Sequence, residues 1–111
     1  MVSDVLFESD TAAVTDAPVL AVDAASRPLT AAAAAQKHAA LLERHYRKGM
    51  RLYKKLDSRL RGQPAAETAA AIRTLRRLGG PAFALLAPAF PATGRTTVNG
   101  CVLVNGVPLE N

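Results

Sequence analysis

Short apolar runs bounded by turn-forming residues open the chain: Val5, Leu6 and Phe7 first, then residues 19–22, with a polar, proline-containing loop over residues 10–18 between them. Runs of this length predict buried strands. Residues 29–48 change period. Thr30 is a suitable N-cap, alanines fill the first turns, Leu41 and Leu42 supply the larger apolar contacts, and Gly49 can stop a helix. Residues 50–56 alternate basic and apolar positions, with Leu52 and Leu56 on one parity and Tyr53 and Lys55 on the other, as a strand does. Pro64 suits the first turn of a second helix, where Ala65, Ala69, Ile72 and Leu75 recur at helical spacing while Glu67, Arg73 and Arg77 point elsewhere, and Gly79-Gly80 ends the run. Residues 83–87 predict a further strand and residues 88–94 a loop. Finally, residues 101–104 and 107–109 flank Asn105-Gly106, a strong hairpin signal.

The order strand, strand, helix, strand, helix, strand, hairpin predicts an α/β fold: a mostly parallel sheet with flanking helices joined by right-handed crossovers, plus a C-terminal β-hairpin. No internal repeat is present, and the alanine run at residues 31–35 is low-complexity in composition only. At 111 residues the chain has room for a single domain.

Half of the residues are hydrophobic, but many are alanine and the only aromatics are Phe7, Phe83, Phe90, Tyr46 and Tyr53, so a thinly filled core is expected. The formal net charge of +5 favours anionic partners, among them nucleic acid, phosphorylated metabolites and carboxylates. A single cysteine, Cys101, cannot form an internal disulfide and no cysteine–histidine spacing suggests zinc, which makes a reduced, cytoplasmic setting the expectation and gives no metal site. The N-terminal residues lack a basic segment followed by an apolar run, and no stretch approaches about 18 uninterrupted apolar residues, so no export and no membrane partner are expected.

In folds of this class ligands gather beyond the carboxyl ends of the strands. Three such loops each carry an arginine and a hydroxyl: residues 23–27 with Ser26 and Arg27, residues 54–62 with Ser58 and Arg61, and residues 88–97 with Thr93 and Arg95. Arginine binds a carboxylate through two parallel charge-assisted hydrogen bonds, and the second loop leads into a helix N-terminus, which attracts anions. Together they predict a pocket for a small, hydroxylated anion. Asp57 would accept from sugar hydroxyls or balance Lys55.

The wording of these loops resembles the four-carbon acid sugar kinases, which include threonate, erythronate and 3-oxo-tetronate kinases. The family pattern Lys-x-Asp-Ser-Thr-x-Arg-Gly is met by Lys55, Asp57, Ser58, Arg61 and Gly62. Its Pro-Ala-Phe-Pro-x-x-Gly-Arg-x-Thr is met by Pro88, Ala89, Phe90, Pro91, Gly94, Arg95 and Thr97. Val98-Asn99-Gly100, the run from Val104 to Leu109, and Ser26-Arg27 after an aspartate are similar to the family as well, so the resemblance covers most of the chain. It implies transfer of the ATP γ-phosphoryl group to a terminal hydroxyl of a four-carbon sugar acid, with magnesium bridging the phosphates and the sugar acid held by an N-terminal domain. On that resemblance Arg27, Ser58, Arg61 and Arg95 are substrate contacts, Asp57 and Lys55 shape the pocket, Ser26, Gly62 and Gly94 belong to the binding motifs, and Asp57 is the one candidate for a catalytic role.

The chain departs from the family pattern in places. Arg59 stands where threonine is usual and Gln63 where asparagine is common, and no Asp-Asp-Leu-Thr-Gly-Ala-like loop opens the sequence. The expectation is therefore a Rossmann-like but incomplete sugar-binding domain over residues 1–111, with the nucleotide-binding domain absent, ATP and magnesium bound by the complete enzyme and not by this chain, and no catalysis by the chain alone. A partner chain supplying the nucleotide domain and self-association through open sheet edges follow as expectations. Two rival readings stay open: an inactive remnant of such a kinase, and a small basic nucleic-acid-binding module using Arg51, Lys54, Lys55, Arg59, Arg61, Arg73, Arg76 and Arg77. No stacking aromatics accompany that charge, which disfavours the second. His38 and His45, two turns apart on the first helix, are given no metal or acid–base role, and Cys101 reads as a small hydrophobe.

Overall fold

The computed structural model describes residues 2–7 and 16–109. Much of the loop expected over residues 10–18 therefore lies outside the described residues. Strands β1 (Ser3–Leu6) and β2 (Val19–Val22) pair in parallel, with Ser3 opposite Val19 and Leu6 opposite Val22, and the Asp23 amide extends the pairing by donating to the Leu6 carbonyl at 2.9 Å. Helices α1 (Ala31–His45) and α2 (Pro64–Gly79) pack on each other. Three further strands, β3 (Arg95–Val98), β4 (Cys101–Val104) and β5 (Val107–Pro108), form an antiparallel sheet in sequence order. The α/β class, the parallel pairing and the C-terminal hairpin are thus those expected from the sequence.

The helices begin where the sequence places their starts. Thr30 Oγ1 accepts from the Ala33 amide at 3.3 Å, and Pro64 occupies the first turn of α2, where its missing N–H costs nothing. Helix α1 stops at His45, short of Gly49. Tyr46 turns extended (ψ 135°) while its amide still donates to the Leu42 carbonyl, and its ring lies across the end of α2, where a Cβ on Gly79 would come within 2.9 Å of the phenol oxygen.

Two expected strands do not form. Residues 50–56 and 83–87 join no ladder, because an extended segment becomes a strand only when a neighbour supplies hydrogen-bonding partners and the described residues supply none beside them. Most of their side chains stand in solvent, Tyr53 being 87% exposed, Phe83 91% and Leu85 89%. Conversely β3, read from the sequence as the tail of a loop, pairs with β4 from Arg95 opposite Val104 to Val98 opposite Cys101. Asn99-Gly100 makes this possible. Both residues take positive φ (50° and 80°), the same two-residue turn that Asn105-Gly106 (51° and 81°) makes between β4 and β5.

The core sits between the helices and is built from alanine. Ala34, Ala70 and Ala71 are buried, joined by Thr74 and by the carboxylate of Glu67, with Leu6 buried on β1, while among the described residues no large side chain is fully enclosed. This differs from the face of α2 expected from the spacing of Ala65, Ala69, Ile72 and Leu75, none of which is buried. Small side chains let two helices approach closely, so the contact line runs along Glu67, Ala70, Ala71 and Thr74, and the bulkier residues flank it. The radius of gyration is 15.3 Å against about 13 Å for a packed domain of this length, so the chain is loosely drawn together.

Candidate functional site

The turn at residues 57–61 is organised by one carboxylate. Asp57 Oδ2 accepts from the amides of Arg59 (3.3 Å) and Arg61 (3.2 Å) and from Arg61 Nε (2.9 Å), while Oδ1 accepts from Arg61 Nη2 at 2.8 Å. Leu60 lies between in the left-handed region (φ 55°), a conformation costing roughly 1–2 kcal/mol for a residue with a Cβ. The bonds from Asp57 to the Arg59 and Arg61 amides and to the Arg61 guanidinium hold the turn in that conformation. The guanidinium bonds lead in holding the Asp57 carboxyl far below the usual carboxylate range; partial burial opposes them, and the Arg61 and Arg59 amides reinforce them. The same bonds raise the Arg61 guanidinium.

A second arginine approaches from the loop after β2. Arg27 Nη2 lies 4.0 Å from Asp57 Oδ1, and Gly62 fixes the approach, since a Cβ there would meet the Arg27 Cα at 3.4 Å and its Cγ at 3.6 Å. Tight turns hold this loop: the Ala25 amide donates to Asp23 Oδ1 at 2.9 Å, and the Leu29 amide donates to the Ser26 carbonyl at 3.0 Å. Asp57 is largely enclosed, whereas the Arg27 and Arg61 side chains are 64% and 57% exposed. Two guanidinium groups and one carboxylate leave a residual positive charge facing water. Lys55 is exposed beside them and Ser58 is half-buried.

Beneath these loops lies a carboxylate that the sequence reading placed on the outer side of α2. Glu67 is 5% exposed. Its Oε1 accepts from Ser26 Oγ at 2.6 Å, its Oε2 from Lys54 Nζ at 2.6 Å, and His38 Nε2 stands 3.8 Å from Oε2. Burial is the largest influence on this carboxyl and pushes it up; the hydrogen bonds from Lys54 and Ser26, with the charges of Lys54 and His38, together outweigh burial and leave it below its ordinary value. Ser26 donates its hydroxyl proton here, which leaves its oxygen free to accept from a ligand. Sequence reasoning missed Glu67, Lys54 and His38 as a unit. The available signal was a carboxylate in the first turn of a helix begun by proline, where it also meets the positive end of the helix dipole.

The third loop stands apart. The sheet β3–β4–β5 and the 3-10 turn Pro91–Thr93 make no element contact with α1, α2, β1 or β2. Among the described residues no hydrogen bond or ion pair joins Gly94 or Arg95 to the Asp57 turn. They belong to a local knot: the Asn105 amide donates to the Gly94 carbonyl at 2.7 Å, and a Cβ on Gly94 would lie 2.0 Å from Asn105 Oδ1. Arg95 Nη1 donates to the Thr93 carbonyl, while Arg95 Nε is buried with no acceptor. A separate open groove of about 440 Å3 lies at the far ends of the helices, lined by Tyr46, Met50, Leu52, Leu75 and Phe83. It contains none of the residues singled out in the three loops.

Residues 2–111 match the family described as the sugar-binding N-terminal domain. The chain is 50% identical over 95 residues to a D-threonate kinase of Cupriavidus necator, an alignment covering 86% of this chain and 21% of that enzyme. It is 48% identical over 100 residues to a D-threonate kinase of Bordetella bronchiseptica (87% of this chain, 24% of the enzyme) and 42% identical over 57 residues to a D-erythronate kinase of Heliobacterium modesticaldum (51% and 12%). The chain thus spans a quarter or less of the length of these curated relatives. With its motifs and its whole described length inside that match, the chain belongs to the family of sugar-binding N-terminal domains.

Proposed function

We propose that this chain is the sugar-acid-binding portion of an ATP-dependent kinase that phosphorylates the terminal hydroxyl of a four-carbon acid sugar, threonate, erythronate or 3-oxo-tetronate. The observation that carries the reading is the pair of exposed guanidinium groups, Arg27 and Arg61, converging on the enclosed Asp57. Asp57 pre-orients one fork, and the residual positive charge is offered to the carboxylate of the sugar acid. Lys55 and Ser58 flank the turn within reach of sugar hydroxyls, and Ser26 presents an acceptor oxygen. Arg95, whose Nε lacks an acceptor, and Gly94 would join them only if the hairpin sheet closes on the Asp57 turn.

In the transfer itself the terminal hydroxyl oxygen forms a bond to the γ-phosphorus as the bond to the departing ADP oxygen breaks, and the hydroxyl proton must go to a base. Asp57 is a poor choice for that base, because a general base works best with a pKa near the operating pH and Arg61 holds this carboxyl far below it. Its role is to position. ATP and magnesium belong to the complete enzyme. Magnesium in such sites is held by one or two carboxylates together with the substrate phosphates, and we assign the nucleotide site to other parts of the enzyme, on the same or a partner chain.

A circular-dichroism thermal melt with a panel of four-carbon sugar acids, and neutral sugars as controls, tests the reading. At a hundredfold excess over Kd a ligand bound only by the folded form adds about 2.7 kcal/mol, which raises the midpoint of a chain this size by roughly ten degrees. A rise selective for sugar acids is the expected result. A cooperative melt shifted by no sugar acid would remove the binding assignment.

A further inference from the structure

Glu67 touches three segments that are far apart in sequence. Ser26 comes from the loop after β2, Lys54 from the extended chain entering the Asp57 turn, and His38 from the middle of α1, while Glu67 itself sits in the first turn of α2. The His38 Nδ1 lies 2.9 Å from the Ala34 carbonyl, which can only accept, so Nδ1 carries a proton and Nε2 is the nitrogen turned to Glu67. The carboxylate is nearly sealed from solvent, its Lys54 partner is mostly enclosed, and both oxygens are used.

Arg27 follows Ser26 directly, and Asp57 lies three residues beyond Lys54. Each arm of Glu67 therefore anchors the base of one of the two loops whose tips meet at the Arg27–Asp57–Arg61 cluster. Within the cluster the loops are joined only weakly, by the 4.0 Å approach of Arg27 to Asp57 and the contact of Arg27 with Gly62. Something beneath must set their separation, and the two 2.6 Å bonds to Glu67 are the strong links available.

We infer that Glu67 is a positioning residue, a buried clamp that ties the Ser26 and Lys54 stems to the start of α2 and so fixes the distance between the two arginines that receive the sugar-acid carboxylate. The inference rests on the proposed function for its ligand, but not for the clamp. Glu67 does not contact the substrate. Gln in its place retains the volume and one acceptor oxygen but loses the charge that holds Lys54, so the second arm is released while the first is weakened.

The test uses the purified chain with Glu67→Gln and reads amide hydrogen exchange and ligand affinity separately. Two amides report on the loops: Leu29, bonded to the Ser26 carbonyl, and Leu60, bonded to the Asp57 carbonyl. The expected result is that both exchange about tenfold faster while interior amides of α1 and α2 keep their protection, and that affinity for threonate or erythronate, measured by titration, falls about tenfold. Unchanged exchange at Leu29 and Leu60, or an equal increase across the helices, overturns the clamp. So does full affinity in the variant when the wild-type chain binds. If the wild-type chain binds neither acid, the proposed function fails and the clamp stands or falls on exchange alone. Should Glu67→Gln fail to fold, Ser26→Ala replaces it: the clamp requires faster exchange at Leu29 with Leu60 and the helices unaffected, and any other pattern overturns it.

Discussion

Arg61→Ala is expected to lower affinity for a four-carbon sugar acid by about 30- to 150-fold while leaving the melting midpoint of the free chain almost in place. Hydrogen bonds to charged groups contribute roughly 1.5–3 kcal/mol, and a loss of 2–3 kcal/mol corresponds to that range of Kd. Two changes act together. The charge and the N–H donors of Arg61 not already given to Asp57 are lost to the ligand carboxylate, and Asp57 loses its guanidinium partner, so the site falls from a net positive charge to neutrality with its carboxylate uncovered. Stability moves little because Arg61 is largely exposed, and exposed ion pairs contribute at most about 1 kcal/mol. Arg61→Lys should fall between the two, since lysine keeps the charge without the planar fork. Titration calorimetry beside a melt separates the effects. An affinity unchanged by Arg61→Ala would exclude the Asp57 turn from the binding site.

The second large effect is on stability. Lys54→Met removes the cation bonded to Glu67 and leaves a sealed carboxylate with a hydroxyl and a histidine for company. Breaking a buried pair from one side costs about 3–5 kcal/mol, and the partial exposure of Lys54 places this case near 3 kcal/mol, roughly 10–20 °C in midpoint. The pH dependence identifies the cause. In the wild-type chain Glu67 and Asp57 are both held below their ordinary values, so the stability they contribute is present above about pH 4 and is lost as the pH falls through their folded-state values. In the variant Glu67 loses the strongest of the influences that lower it, the Lys54 hydrogen bond, together with the Lys54 charge, so burial carries the carboxyl upward from its wild-type value. The deficit is then full near neutrality and shrinks on acidification as Glu67 is protonated in the folded variant. Melts from pH 4 to pH 7.5 check this, and a deficit of equal size throughout that range would mean that Lys54 acts through packing alone.

These residues also show how far the sequence could be read. Helix α2 was legible from Pro64 to Gly79 because its start and stop are chemical events at single residues: a missing N–H and a glycine at φ 100°. The Asp57 turn was legible only as a polar loop running up to Pro64: Asp57 was expected to accept from sugar hydroxyls or to balance Lys55, whereas its carboxylate is bonded to Arg61. Residues 50–56 and 83–87 were misread because alternation reports that a segment can be a strand, while pairing depends on a neighbour that no local pattern reveals. Conversely Arg95 and Thr96, read as part of the loop over residues 88–97, pair with β4 through the Asn99-Gly100 turn, whose two residues were read only for their resemblance to the family. Glu67 was expected to point away from the face of α2 that carries Ala65, Ala69, Ile72 and Leu75. Its burial depends on Ser26 and Lys54, 41 and 13 positions away, and a helical wheel drawn on α2 alone contains neither.

The alanine seam between α1 and α2 has a thermodynamic signature of its own. Heat capacity and denaturant sensitivity both scale with the apolar surface that unfolding exposes, and here alanines form most of the sealed apolar interior while Phe83, Leu85 and Tyr53 are wet before unfolding begins. The curve of stability against temperature is accordingly broad and shallow, with a urea slope below that of a conventionally packed chain of 111 residues. A small enthalpy of unfolding then makes each kcal/mol of binding energy displace the midpoint by more degrees, so this chain is a sensitive thermometer for whatever occupies it.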